Sequence, residues 1–212
     1  MKTEDLISLL ATGVDAVEPG VAQRRYATAM VLGVTSAALL LMLLHVRADL
    51  LEAALLPMFW VKLGFVASLV GASLFAALRL SRPGARLDWL PSGLAAPVVL
   101  MWTLAGYVLL TADADQRAAL FFGATWNSCP LLIATLSLPA FVAVIWAMQG
   151  LAPTRPRLAG FAAGLLSGAL AALVYCLHCP EMGAPFIGFW YTLGMLIPAV
   201  LGAGLGPRLL RW

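Results

Sequence analysis

Charged side chains are scarce in this chain: Asp, Glu, Lys and Arg make up 11% of it against 62% hydrophobic residues. That balance lies outside the range of a soluble globular domain. Acidic residues are missing altogether from the long apolar runs, which argues against a proton- or cation-coupled transporter, since such proteins place carboxylates in their helices. There is no Gly-rich phosphate loop, no HExxH pair, no GxSxG elbow and no pair of intramembrane carboxylates. Cysteine and histidine are rare too, at three and two residues. An enzyme built on this sequence would have to use those few.

What is present is apolar length. A bilayer-spanning helix needs about 20 mostly apolar residues, and six runs qualify, at roughly 26–46, 58–78, 92–111, 131–149, 158–177 and 186–206. The expected fold is an all-α integral membrane protein, a bundle of six transmembrane helices over residues 26–212, preceded by a polar segment 1–25 too short for a core of its own. Arg24 and Arg25 before the first run could suggest a secretory signal, but the polar lead is long. No small-x-small cleavage site follows in HVRADL, so the run reads as a retained helix.

Orientation follows from the loop charges, because short cytoplasmic loops hold Lys and Arg. Lys2, Arg24, Arg25, Arg79, Arg82, Arg86, Arg155, Arg157, Arg208 and Arg211 fall on one side, and only Arg47 and Arg117 on the other, with Asp49, Glu52, Asp113, Asp115 and Glu181. Both termini are therefore expected in the cytoplasm. The net charge of +3 is explained by this asymmetry and gives no reason to invoke nucleic acid. Interfacial aromatics are expected to agree, with Trp60, Tyr107, Trp126, Tyr175 and Trp190 near the outer surface and Tyr26, Trp89, Trp146 and Trp212 near the inner one.

Small residues predict the packing. Gly160, Gly164, Gly168 and Ala172 recur every four residues in the fifth run, and Gly194, Gly202 and Gly206 share a register with Pro198 in the sixth. Such rows let membrane helices approach closely. Pro97, Pro139 and Pro198 lie within runs and can kink them. Lys62 is the one basic residue inside a run; snorkelling to the headgroups or a buried pairing is favoured over a transport role.

The scarce soft ligands gather on the outer side. YCLHCPEM holds Cys176, His178, Cys179 and Glu181, WNSCP holds Cys129, and His45 ends the first run. Thiolates suit soft metal ions and are what oxidants attack. Cys176 and Cys179 in C-x-x-C spacing leave a membrane thiol oxidoreductase open, although no thioredoxin-like context surrounds them. A small metal or solute transporter is the third class.

WNSCP, the closing segment from YCLHCPEMGAPFIGFWYTLG to LLRW, the opening MKTEDLI and the six runs together resemble the NrsF-like membrane anti-sigma factors, formerly a domain of unknown function. The resemblance covers essentially the whole chain. It implies a non-enzymatic regulator in the bacterial inner membrane that holds an extracytoplasmic-function sigma factor inactive, contacts membrane lipid and does not itself bind nucleic acid. It also implies heavy-metal response by two periplasmic cysteines, matching Cys129 and Cys179. No cofactor is required, a heavy-metal ion being at most a transient ligand held by Cys129 and Cys179. Cys176 is extra to that pattern, so the pair is Cys129 with Cys179 or Cys176 with Cys179, and His178 is an auxiliary ligand. A permanent Cys129–Cys179 disulfide is the structural alternative.

A grip for the partner is legible at the N-terminus. Residues 4–12 can form a helix with Thr3 as N-cap, Glu4 and Asp5 in the first turn and Gly13 as a stop. Leu6, Leu9 and Leu10 share a face that Ile7 widens. Glu4, Asp5, Asp15 and Glu18 make the segment acidic, which suits a basic protein surface better than the membrane interface, where helices are usually rich in Lys and Arg.

Overall fold

The structure, a computed structural model, describes residues 3–12, 20–84 and 90–211, without the side chains of Leu10 and Leu90. Every regular element among them is helical. The sequence readings of Lys2, Gly13, Asp15, Glu18, Arg86, Trp89 and Trp212 lie outside the described residues.

The first helix, α1 (Thr3–Ala11), carries Glu4 and Asp5 in its first turn. Thr3 is itself helical and so is not a cap. Thr12 closes the other end, its amide donating to the Ser8 carbonyl and its hydroxyl to that of Leu9. Leu6, Ile7 and Leu9 are exposed. After Gly20, whose φ of +84° favours glycine, α2 (Val21–Leu44) runs to His45.

Short α3 (Leu50–Ala53) leads into α4 (Pro57–Leu80), and then come α5 (Leu90–Thr111), α6 (Gln116–Phe122), α7 (Cys129–Leu136) and α8 (Leu138–Gln149). α9 (Pro156–Tyr175) and the single turn α10 (Ala184–Phe186) precede a π-helical turn, Ile187–Tyr191, which passes directly into α11 (Thr192–Leu209). Among the described residues five stretches, α2, α4, α5, α9 and α10 through α11, are long and apolar enough to cross a membrane. The remaining expected span is the pair α7 and α8, bent by 42°. The bend falls at Ser137, just before Pro139, whose missing N–H and ring disfavour an unbroken helix. Pro97 and Pro198 interrupt nothing: α5 and α11 continue through them.

Helix α9 sits at the centre, buried along nearly its whole length and packed on α2, α4, α7, α8 and α11. Its smallness is the reason. In lipid, apolar area alone does not drive helices together, so the closest packing forms where side chains are absent. A Cβ on Gly160 would stand 2.0 Å from the Gly202 carbonyl oxygen, one on Gly164 2.0 Å from that of Pro198, and one on Gly168 2.9 Å from Met195 Cα. Gly206 likewise faces Pro156. Gly194 departs from the expected row and packs against Pro130 and Ile133 of α7. The pairing of α2 with α8 uses the same device, since a Cβ on Gly33 would lie 2.9 Å from that of Ala140.

Trp60, Tyr107, Trp126 and Trp146 are exposed. Two tyrosines at helix ends are not. Tyr26 is buried, its hydroxyl 2.9 Å from the Ser81 hydroxyl, and Tyr175 is buried beside the cysteines. A phenol inside a bundle needs polar surroundings: Tyr26 meets the Ser81 hydroxyl and Tyr175 faces the Cys129 and Cys179 sulfurs.

Candidate functional site: a buried thiol cluster

The loop after α9 carries Cys176, His178, Cys179 and Glu181, and four tethers hold it in place. The Lys62 ammonium on α4 donates to the carbonyls of Cys179 (3.0 Å) and Glu181 (3.1 Å). Arg47 donates its backbone N–H to the Leu177 carbonyl (3.1 Å), and its guanidinium reaches the Cys179 carbonyl (3.5 Å) while pairing with Asp49 (2.6 Å). This pairing raises the Arg47 pKa and lowers that of Asp49. His178 donates from Nδ1 to the His45 carbonyl (2.7 Å), at a residue with φ of +66°. Finally, the Glu181 carboxylate accepts the Ala124 amide (2.7 Å) and the Thr125 hydroxyl (3.4 Å).

These tethers bring Cys179 onto the start of α7. Cys129 is the first residue of that helix, and its thiol lies within hydrogen-bonding reach of the Cys179 sulfur. All three cysteines are free and fully buried. Cys176 lies nearby but forms no such pair with Cys179; its neighbour is Tyr191. Of the two pairings left open by the sequence, the geometry brings together Cys129 and Cys179. His178 points its Nδ1 away to His45, and His45 contributes a carbonyl rather than its ring. Among the described residues no group of three or more His, Cys, Asp and Glu side chains is arranged to hold a metal ion.

The electrostatics favour negative charge on one sulfur. The Cys129 thiol as hydrogen-bond partner, aided by the Lys62 ammonium, holds the Cys179 pKa well below the usual thiol range, against the opposing effect of burial. Tyr191, on the π-helical turn, presents its ring 4.9 Å from the Lys62 ammonium. Its hydroxyl faces the Cys176 and Cys179 sulfurs yet makes no hydrogen bond of normal geometry. Lys62 therefore does not snorkel. It is 0% exposed and is the buried pairing of the two expectations, with carbonyls and an aromatic face as its partners.

Chemically, two sulfurs carried by different helices and held in contact can be joined by a thiophilic ion or by oxidation to a disulfide. Either event would fasten the start of α7 to the α9–α10 loop. The sequence reading missed Tyr175, Tyr191 and the docking of Glu181 on the Gly123–Thr125 backbone. One signal was available for the last, the glycine at position 123, which in the structure adopts φ of +57°.

Residues 10–212 match the family described as negative regulator of sigma F. The chain is 63% identical over 213 residues to the "Probable anti-sigma-F factor NrsF" of Azospira oryzae, with both chains covered completely. It is 42% identical over 217 residues to the "Anti-sigma-F factor NrsF" of Caulobacter vibrioides, again with both covered completely. No solved structure matches it. Carrying that family's match from Leu10 to the C-terminus, α2 to α11 and the thiol cluster included, the chain belongs to the negative regulators of sigma F.

Proposed function

We propose that this chain is a multi-pass inner-membrane anti-sigma factor with both termini in the cytoplasm. It sequesters a sigma factor of the extracytoplasmic-function type, and reaction of Cys129 and Cys179 with a metal ion or oxidant on the periplasmic side releases it. The observation that carries this reading is the meeting of those two thiols from separate helices, in a chain related along its full length to anti-sigma factors.

The grip is α1. Leu6, Ile7 and Leu9 are exposed beside Glu4 and Asp5, an apolar stripe with an acidic edge that fits a groove on a basic protein surface. A mechanical route links the two ends. Cys129 begins α7, α7 joins α8 at the bend, α8 packs along α2, and the start of α2 continues from the N-terminal segment. Near that start the Arg25 guanidinium lies over the Trp146 ring of α8, 5.5 Å from its centroid. Tying Cys129 to Cys179 changes the load on α7 and hence the seating of α8 on α2.

Co-expression of the tagged chain with its cognate sigma factor tests the first half. The sigma factor should co-purify from membranes with the whole chain and be lost when residues 1–12 are deleted. Retention by the truncated chain would place the grip elsewhere.

A further inference from the structure

Helix α5 stands off from the centre of the bundle. It packs on α4 and, along its C-terminal half, on α10 and the π-helical turn, where the Trp102 Nε1–H donates to the Gly188 carbonyl (2.9 Å). Between α5 and α9 lie two adjoining cavities of about 160 and 310 Å³, which share Pro91, Leu94 and Phe161 and so form one crevice. On α4 the crevice runs from Leu80 to Leu69, about 16 Å of helix rise. That is close to one leaflet of a hydrocarbon core about 30 Å thick. The walls are apolar. Thr192 supplies the one hydroxyl among the lining residues, and it donates to the Gly188 carbonyl (2.7 Å). An apolar cavity of this kind stays dry, so what fits is an elongated apolar guest.

The mouth of the crevice is positive. Arg79 and Arg82 at the end of α4, and Arg155 and Arg157 at the start of α9, are exposed, each within three residues of the lining residues Leu80 or Leu158. Among the described residues no carboxylate pairs with any of the four. The described parts of the two connections, 81–84 and 150–155, contain no Asp or Glu.

We propose that this crevice binds an anionic phospholipid of the inner leaflet, one acyl chain lying between α5 and α9 and the phosphate meeting the arginines at its mouth. Basic residues beside a gap between spans on the cytoplasmic side are suited to such headgroups. Shape and charge select the guest together: a zwitterionic lipid satisfies the crevice but not the net positive charge, and a free phosphate ester satisfies the charge but not the crevice. The bound chain fills the gap that separates α5 from α9. The inference rests on the reading that these two connections face the cytoplasm.

Dioleoyl phosphatidylglycerol and dioleoyl phosphatidylcholine share their acyl chains and differ in headgroup charge. Native mass spectrometry of the full chain in a neutral detergent, titrated with each lipid, measures both affinities. An arginine beside an anionic headgroup is worth about fivefold in affinity, so phosphatidylglycerol should bind at least about fivefold more tightly than phosphatidylcholine. Arg82→Gln combined with Arg157→Gln should bring the two lipids to about the same affinity, and Arg82→Lys with Arg157→Lys should keep the preference. Ala95 lines the crevice from α5 and is exposed, so Ala95→Trp fills the space without entering the core. It should abolish tight phosphatidylglycerol binding although all four arginines remain. Glycerol 3-phosphate, which has the phosphate and no chains, should not compete. Equal affinity for the two lipids in the wild type, a preference that survives the glutamine pair or Ala95→Trp, or displacement by glycerol 3-phosphate would each overturn the inference. A dimer that disappears in Ala95→Trp would assign the crevice to a second copy of the chain and overturn it as well. If a reporter fused after Gly84 is active outside the cytoplasm, the topology falls instead, and the preference measured in detergent still stands.

Discussion

The carboxylate of Glu181 fills the space that a side chain at residue 123 would take: a Cβ built on Gly123 would stand 2.6 Å from its Oε2. Glycine is needed there twice over, for the positive φ of +57° and for the close approach of the carboxylate. Gly123→Ala should therefore cost about 1–3 kcal/mol in backbone strain and also displace Glu181 from the Ala124 amide. The loop bearing Cys179 loses one of its tethers. Iodoacetamide should then label Cys179 several-fold faster than in the wild type, and an unchanged rate would show that the Glu181 tie does not hold the loop.

The α9–α11 contact is backbone on backbone. Gly164→Val has no room beside the Pro198 carbonyl and should sharply lower the amount of folded protein in membranes. Gly64 on α4 is exposed and a Cβ there meets nothing within 4 Å, so Gly64→Val should accumulate normally. Quantitative immunoblotting of the membrane fraction distinguishes the two; equal levels would contradict the close packing.

Leu6→Asp and Leu9→Asp place a carboxylate on the exposed stripe of α1. Burying it unpaired in a partner's groove is costly, while the membrane bundle is untouched. Each substitution should release the sigma factor and raise its transcription without lowering membrane levels. Unchanged repression in both would move the grip to the loops between spans.

Topology is testable independently of any partner. A reporter active only outside the cytoplasm should work when fused after Asp115 or Glu181 and fail after Gly84 or Trp212. Activity at the C-terminal fusion would reject an even number of spans.

How far the sequence reaches is visible in particular residues. The four-residue glycine row of α9 was legible because helical periodicity is local, and the place of each apolar run was legible because bilayer thickness fixes its length. The fate of Gly194 was not, since its partner is α7 and a periodic row does not say which neighbour it faces. The burial of Tyr26 and Tyr175 inside the bundle was not legible, because aromatic preference is an average over positions, and a hydroxyl partner such as Ser81 lies 55 residues away. Lys62 stood out as the one basic residue in a run, but its acceptor on Cys179 is 117 residues further along the chain. Only the packing of α4 on α9 brings them together. The pairing of Cys129 with Cys179 over Cys176 with Cys179 was undecidable from spacing for the same reason.

The central claim is that Cys129 and Cys179 act as one element across two helices. Sigma-dependent transcription in cells exposed to cadmium or to a thiol oxidant, compared among wild type, Cys129→Ser, Cys179→Ser and Cys176→Ala, measures it directly. Both serine variants should keep resting repression and lose induction, while Cys176→Ala should respond nearly as the wild type does. Full induction in both serine variants, at normal membrane levels, would contradict the account.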